Sequence, residues 1–263
     1  MKHIPNICTL ANLLFGCIAI TFILDAPAIL QTTTGQEFYP VLGLEQLYWG
    51  SLFIGLAALM DVLDGFLARA LTSFSPLGKD LDSLADLVSF GVAPSMIMYK
   101  FLWFAYMKEP GALSTPLIVL VPAFFIACFG ALRLARFNQT HSEQKHYFIG
   151  MPIPAVGILV ASLPLMYWFP SGYNLDFLLE NRWLLYLLTG LLCYLMVSHI
   201  RFFKWQPAGK GIGSWWPHLL IALVILIGAP LLRFAIIPIA FLVYVLLSLL
   251  PKKGLPANSS VEL

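Results

Sequence analysis

Residues 61–86 read DVLDGFLARALTSFSPLGKDLDSLAD, so two pairs of aspartates flank a polar turn between two apolar runs. Asp61 and Asp64 end the first apolar run, and Asp82 and Asp86 begin the second. Ionisable side chains within membrane-length apolar segments are energetically costly and usually functional. This stretch therefore predicts two spanning helices that meet at an acidic site.

The rest of the chain has the composition of a membrane protein. Of its 263 residues, 60% are hydrophobic and 11% charged, with a mean hydropathy of +0.85, whereas soluble domains carry about 25% charged residues. At roughly 20 residues per crossing, the apolar runs predict an all-α, polytopic bundle of eight spanning helices. The runs lie near residues 7–25, 47–67, 83–106, 115–135, 153–169, 183–200, 215–229 and 231–250, with the last two separated by a Gly-Ala-Pro break at residues 228–230.

Positive charge is unevenly distributed when these spans alternate across the membrane. With the N-terminus in the cytoplasm, 11 of the 15 Lys and Arg residues fall on the cytoplasmic side and 4 on the other. Cytoplasmic loops carry an excess of positive residues. We therefore predict a multi-pass protein of the cell (inner) membrane, with both termini and the acidic site on the cytoplasmic side. No basic run is long enough to predict a nucleic-acid partner.

The spacing within each pair places both carboxylates on one side of a helix. At 100° per residue, Asp61 and Asp64 are about 60° apart, and Asp82 and Asp86 are about 40° apart. Antiparallel packing of the two helices would point all four side chains into one cavity. Four ionised carboxylates in an apolar cavity must take up protons or cations. Oxygen ligands favour Mg²⁺ or Mn²⁺, and two such ions would clamp a pyrophosphate.

Small residues follow Asp61 on the same helix face. Gly65 and Ala68, at i+4 and i+7, leave room for a bulky ligand next to the backbone, and Arg69 is suited to meet a phosphate. For any single residue, a helix pair packed by small side chains is an adequate explanation. The combination favours a ligand site.

The pattern D-x2-D-G-x2-A-R-x8-G-x3-D-x3-D resembles the signature of the CDP-alcohol phosphotransferase family, and every fixed position matches. The resemblance implies that Asp61, Asp64, Asp82 and Asp86 bind metal, and that Asp86 also serves as the general base. It further implies a CDP-binding pocket lined by Asp61, Gly65, Ala68 and Arg69.

The acceptor has to be inferred from other segments. Arg133 and Arg136, at i and i+3, can face one cavity and there bind an anionic acceptor or the phosphate of a lipid. Serine carries a carboxylate that an arginine binds with two hydrogen bonds. Arginines at a cytoplasmic helix end also satisfy the positive-inside rule, so the charge pattern alone leaves both explanations open.

Further segments are similar to the integral-membrane phosphatidylserine synthases of the same family. They are IPNICTLAN at residues 4–12, RLARFN at residues 133–138 and GMPIPA at residues 150–155. This similarity implies that Asn6 and Asn12 approach the nucleotide and that Asn138 joins the two arginines at the acceptor site.

The resemblance covers residues 1–205, which we take as the core of a single membrane domain over residues 1–250. Residues 215–250 would then be accessory helices of that domain, and residues 251–263 form a polar C-terminal tail. A homodimer is compatible with the family resemblance.

The implied reaction transfers the phosphatidyl group of CDP-diacylglycerol to L-serine, giving phosphatidylserine and CMP in phospholipid biosynthesis. Asp86 would take the proton of the serine hydroxyl, whose oxygen attacks the β-phosphorus. Three alternatives stay open: the same chemistry with glycerol 3-phosphate or an inositol phosphate, a cation transporter that uses the acids as an ion path, and a structural role. The clustering of the acids at one membrane edge favours the enzyme.

Overall fold

The computed structural model describes residues 4–32, 38–71, 75–108, 115–140, 147–169, 176–203 and 215–249. In these ranges the chain forms ten α-helices and two short antiparallel strand pairs, so the predicted all-α class is confirmed. The helices are α1 (Ile4–Asp25), α2 (Leu44–Ala70), α3 (Pro76–Asp86), α4 (Ala93–Met107), α5 (Phe125–Thr140), α6 (Ile153–Trp168), α7 (Asp176–Glu180), α8 (Arg182–Val197), α9 (Trp216–Leu232) and α10 (Ile236–Leu249).

Shorter elements connect or extend the helices. Strand β1 (Ala28–Thr32) pairs with β2 (Phe38–Leu42), and β3 (Tyr147–Ile149) pairs with β4 (Arg201–Phe203). A π-helical segment joins α3 to α4 without a break. The π-helical segment spans Leu87–Val92, and the 3₁₀ turns span Leu117–Val119, Val121–Phe124 and Arg233–Ala235.

Five helical stretches in the described ranges are long and apolar enough to cross a membrane. They are Pro5–Asp25, Leu44–Ala70, Pro76–Met107, Leu117–Gln139 and Trp216–Leu249. The first four match the first four predicted spans, and the chain is therefore a multi-spanning membrane protein. The other four predicted spans correspond to α6, α8, α9 and α10, which have only 16, 16, 17 and 14 residues. The number eight accordingly stays a prediction.

The last apolar stretch is a hairpin. At Arg233 φ is 50° and ψ is −126°, a conformation that residues with a Cβ rarely adopt, and α9 ends there. Ile221 of α9 packs with Ala240 and Leu247 of α10 in a small apolar cluster, so the two helices fold back on each other. The break predicted at residues 228–230 therefore exists, but the helix continues to residue 232 before it turns.

Aromatic contacts mark one end of the bundle. The ring of Tyr48, near the start of α2, stacks on that of Trp168 at the end of α6, with centroids 6.0 Å apart. Phe169 in turn contacts Phe234 at the α9–α10 turn, at 5.4 Å. Aromatic rings concentrate where membrane proteins meet the lipid headgroups. The opposite end, where α2 is followed by α3, carries the signature aspartates and is called the aspartate end below.

Glycines bring two helices against the π-helical segment that follows Asp86. A Cβ on Gly16 of α1 would lie 2.3 Å from Oγ of Ser89, and one on Gly157 of α6 would lie 2.8 Å from Cβ of Phe90. Both contacted residues are fully buried. Because α1 and α6 approach this segment from different sides, they fix the helix that carries Asp86.

We expect Gly157→Ala to lower the thermal stability of the protein, because the added methyl group overlaps Phe90 and overpacking a core costs about 1–3 kcal/mol. Gly190→Ala in α8 is the matched control, since its added Cβ would have no described atom within 4 Å apart from its chain neighbours and its own helix backbone, and alanine is the better helix former. Size-exclusion chromatography of detergent-solubilised protein after heating gives both melting temperatures. Equal values for the two variants would contradict the packing argument.

Candidate metal and substrate site

The four signature aspartates come together at the aspartate end of the bundle. One carboxylate oxygen each from Asp61, Asp64 and Asp82 lies within 4.8 Å of the other two. Asp86 follows Asp82 by one helical turn, is only 7% exposed, and is close enough for its charge to interact with the other three carboxylates. Two helices that are adjacent in sequence thus supply one cluster of acidic oxygens.

The start of α3 is set by a helix cap that includes the signature glycine. Ser75 is the N-cap residue, and its Oγ accepts a hydrogen bond from the backbone N–H of Gly78 at 3.0 Å. Pro76 at the first helical turn fits because its missing N–H would have had no partner there. A Cβ on Gly78 would lie 3.1 Å from Oδ1 of Asn6. The absence of a side chain at Gly78 therefore lets α1 begin directly beside α3.

Helix α1 provides hydrogen-bond donors to the acidic cluster. The hydroxyl of Thr9 donates to Oδ2 of Asp64 at 2.9 Å, and Nδ2 of Asn12 donates to Oδ1 of Asp86 at 3.2 Å. The Oγ of Ser89 donates to the backbone carbonyl of Asn12 at 3.0 Å. One helix thus orients a carboxylate from α2 and another from α3.

Sequence reasoning assigned Asn12 to the nucleotide and did not identify Thr9. The structure brings Asn12 to Asp86 and Thr9 to Asp64. A signal for Thr9 was present, because Asn6, Thr9 and Asn12 recur every third residue in the otherwise apolar first half of α1 and so lie on one face.

Two buried oxygens at the cluster lack a hydrogen bond from any described residue. They are Oδ1 of Asn12 and Oδ1 of Asp82. Buried polar atoms without a partner are rare in folded proteins, and these lie beside converging carboxylates. Carboxylate and amide oxygens are the ligands that hard divalent cations prefer. The residues present therefore fit a divalent metal, with Asp61, Asp64 and Asp82 as the converging ligands.

The predicted CDP-binding residues continue along α2 from the cluster. Among the described residues, and apart from its chain neighbours and the backbone of its own helix, a Cβ on Gly65 would meet only the guanidinium nitrogens of Arg69, at 3.7 and 3.9 Å. Arg69 therefore folds back along the helix toward Gly65, and Ala68 beside it is half-buried. This face of α2 therefore combines an accessible backbone at Gly65 with the positive charge of Arg69, close in sequence to Asp61 and Asp64.

Of the predicted acceptor residues, Arg133 is the one most enclosed by the protein. Its side chain is 7% exposed, and its guanidinium lies 4.9 Å from the ring centroid of Phe137 and 5.7 Å from that of Phe148. The guanidinium also interacts electrostatically with Asp86. Arg136, one turn further along α5, is exposed.

Asn138 connects α5 to α3. Its Nδ2 donates to Oγ of Ser83 at 2.8 Å, and its backbone carbonyl accepts from Nζ of Lys79 at 2.8 Å. Both partners lie on the helix that carries Asp82 and Asp86. The Asn138 side chain is thus engaged in holding two helices together at the aspartate end.

These observations define a class of protein: a multi-spanning helical membrane protein with an oxygen-rich acidic site at one end of the bundle. Residues 2–195 match the family model described as CDP-alcohol phosphatidyltransferase, and the chain belongs to that family. The family membership expected from the signature is confirmed. Helices α9 and α10 lie outside the matched residues.

Three individual relatives within this family are similar to the chain, and all three names refer to serine. The CDP-diacylglycerol–serine O-phosphatidyltransferase of Bacillus subtilis (strain 168) is 33% identical over 202 residues, which cover 77% of this chain and 90% of the relative. The protein of the same name from Helicobacter pylori (strain J99) is 40% identical over 146 residues, covering 55% and 56%. An archaetidylserine synthase from Methanothermobacter thermautotrophicus is 40% identical over 110 residues, covering 41% and 42%.

We expect Asp82→Asn to weaken binding of Mn²⁺ by at least ~10-fold, because even outer-shell changes at metal sites typically cost 10–100-fold in affinity. Asp80→Asn is the matched control, since Asp80 is exposed and two residues away. Electron paramagnetic resonance of free Mn²⁺, titrated with purified protein, measures both affinities. Unchanged binding by the Asp82 variant, or equal losses in both, would contradict the assignment.

Proposed function

We propose that the protein transfers the phosphatidyl group of CDP-diacylglycerol to L-serine, forming phosphatidylserine and CMP. The observation that carries this proposal is the convergence of Asp61, Asp64 and Asp82 beside a buried Asp86. The chain belongs to a family of CDP-alcohol phosphatidyltransferases, and the relatives compared above bear the names of serine-dependent enzymes. The acidic cluster and the family support a CDP-activated donor, and the names of the relatives support serine as the acceptor.

The converging carboxylates would hold divalent cations, Mg²⁺ or Mn²⁺, with two ions as the expected number. When bound, such ions would neutralise the negative charge of the pyrophosphate and of the departing CMP. Asp86 would serve both as a metal ligand and as the base.

In the proposed reaction, the proton of the serine hydroxyl passes to the carboxylate of Asp86. The serine oxygen forms a bond to the β-phosphorus, and the bond between that phosphorus and the oxygen of CMP breaks. Asn12 donates to Oδ1 of Asp86, which orients the carboxylate and leaves Oδ2 to receive the proton. No oxidant or further reactant is needed.

The nucleotide would lie along α2. Gly65 and Ala68 leave the backbone accessible, Arg69 is a cation for a phosphate, and Asn6 approaches from the start of α1 beside the signature turn. On the acceptor side, Arg133 would bind the serine carboxylate, with Arg136 and Asn138 on the same helix as further candidates.

The proposed membrane arrangement has eight spans, both termini in the cytoplasm and the site facing the cytoplasm in the inner membrane. It is supported by the 11-to-4 division of positive residues and by the α9–α10 hairpin, which returns the chain to the aspartate end. The partners are membrane lipid and the two substrates. A homodimer stays a prediction.

We expect purified protein with Mg²⁺ or Mn²⁺ to release CMP from CDP-diacylglycerol when L-serine is supplied, and EDTA to abolish release. Asp86→Asn should lower the rate by about 10²–10⁴-fold, the usual contribution of a general base. Chromatography of labelled lipid identifies the product. Release with glycerol 3-phosphate or an inositol phosphate, and not with serine, would support the reaction type but contradict serine as the acceptor. Metal flux without CMP release would favour a transporter.

We expect Asn12→Ala to lower kcat by roughly 10–100-fold, a typical effect of removing a residue that orients a ligand or base, and to leave both KM values near those of the wild type. Steady-state kinetics in mixed micelles separate the two parameters. If instead the KM for CDP-diacylglycerol rises and kcat is preserved, Asn12 binds the nucleotide, as sequence reasoning expected, and does not position Asp86.

A further inference from the structure

The α9–α10 hairpin lies outside the residues that match the family, yet one of its polar side chains points into the bundle. Tyr244 of α10 packs against both the small hairpin cluster and the main core. Two leucines beside it, Leu242 and Leu246, are exposed on the outer face of the helix. The orientation of Tyr244 is therefore set by the packing of one face of α10 on the bundle.

A line of aromatic rings connects Tyr244 to the predicted acceptor site. The ring of Tyr244 lies 5.6 Å from that of Phe202 in β4. Phe202 is directly opposite Phe148 in the β3–β4 ladder, and the guanidinium of Arg133 lies 5.7 Å from the ring of Phe148. Arg133 interacts electrostatically with Tyr244 as well as with Asp86. The guanidinium is therefore close to both the proposed base and the phenol of the C-terminal hairpin.

Arg133 has donor capacity that the surrounding protein does not use. Its side chain is 7% exposed, and its Nε has no hydrogen-bond acceptor within the part of the chain that the structure describes. The faces of Phe137 and Phe148 stabilise the charge but offer no carboxylate or carbonyl to Nε. A buried guanidinium with an unused N–H, next to a reaction centre, is suited to bind an anion in the plane of the guanidinium group.

We propose that Tyr244 is an acceptor-binding residue that determines specificity for an amino-acid carboxylate. The guanidinium of Arg133 donates to this carboxylate and the phenol hydroxyl of Tyr244 donates a further hydrogen bond, while the hydroxyl of the acceptor faces Asp86. This assignment rests on the proposed function and adds a role for the hairpin, which closes the acceptor side of the site. Acceptors that lack a carboxylate make no use of the phenol.

The test is Tyr244→Phe, which removes the hydroxyl and retains the ring. Because a hydrogen bond to a charged group is worth about 1.5–3 kcal/mol, we expect the KM for L-serine to rise roughly 10- to 100-fold. We expect kcat at saturating serine and the KM for CDP-diacylglycerol to stay at wild-type values. Tyr194→Phe in α8 is the matched control, because Tyr194 is 65% exposed on the outer surface, and it should leave all three parameters unchanged.

Two further measurements test whether Tyr244 binds the carboxylate of the acceptor. A slow acceptor without a carboxylate, L-serinamide, should be used equally well by wild type and Tyr244→Phe, so the preference for serine over serinamide falls in the variant. The double variant Tyr244→Phe with Arg133→Lys should raise the KM for serine by less than the product of the two single effects, because both residues bind one group.

Specific results would overturn the assignment. An unchanged KM for serine in a folded variant would remove Tyr244 from the acceptor site, and a raised KM for CDP-diacylglycerol alone would mean that the pair binds a lipid phosphate. Wild-type CMP release with serine tests the proposed function separately. If the wild type is inactive, equilibrium binding of radiolabelled serine to the Tyr244 and Tyr194 variants still tests the binding role.

Discussion

Repulsion among carboxylates held in an apolar bundle is the constraint on which the rest of this structure depends. Two unit charges 4.8 Å apart, the upper limit of the separations among Asp61, Asp64 and Asp82, repel by about 3.5 kcal/mol at an effective dielectric constant of about 20. Three such pairs, and a fourth buried carboxylate nearby, would drive α2 and α3 apart. Protons or cations taken up by the carboxylates would offset this repulsion, and the surrounding helices must hold the carboxylates close enough together to bind a cation.

Helix α1 contributes most of the observed polar contacts that hold the carboxylates in place. At the aspartate end, Thr9 and Asn12 donate to carboxylates from α2 and α3. At the other end, Nζ of Lys100 in α4 donates to the backbone carbonyls of Leu24 and Ala26, at 3.2 and 2.5 Å. A cation at the C-terminal end of a helix satisfies carbonyls that have no intrahelical partner. Because α1 is bonded to α2 and α3 at one end and to α4 at the other, these contacts oppose sliding of the helix and keep its donors in register with the acids.

The π-helical segment Leu87–Val92 connects this support to Asp86, the proposed general base. Such wide turns are uncommon and occur frequently at functional sites. Here the segment begins at the residue after Asp86. Gly16 of α1 packs against Ser89 of the segment, and Gly157 of α6 packs against Phe90. Asp86 therefore lies at the junction of three helices. Movement of any of them would change the orientation of its carboxylate.

The sequence by itself determined the helical class, the first four membrane-length helices and the pairing of acids on two successive helices. These properties depend on hydrophobic runs and on the 3.6-residue period, which are local. The signature spacing also identified Asp61, Asp64, Asp82 and Asp86 as one cluster, because a short turn requires their helices to be neighbours.

Only the tertiary structure decided which other side chains surround the acids. Thr9 meets Asp64 across 55 residues of sequence, and Asn12 meets Asp86 across 74. Arg133 is enclosed while Arg136 is exposed, and Tyr244 approaches Arg133 from a helix that carries no recognisable motif. The physical reason is that such contacts depend on how helices rotate and pack against one another. That rotation follows from glycine contacts and core shape across the whole bundle, which no local sequence pattern records.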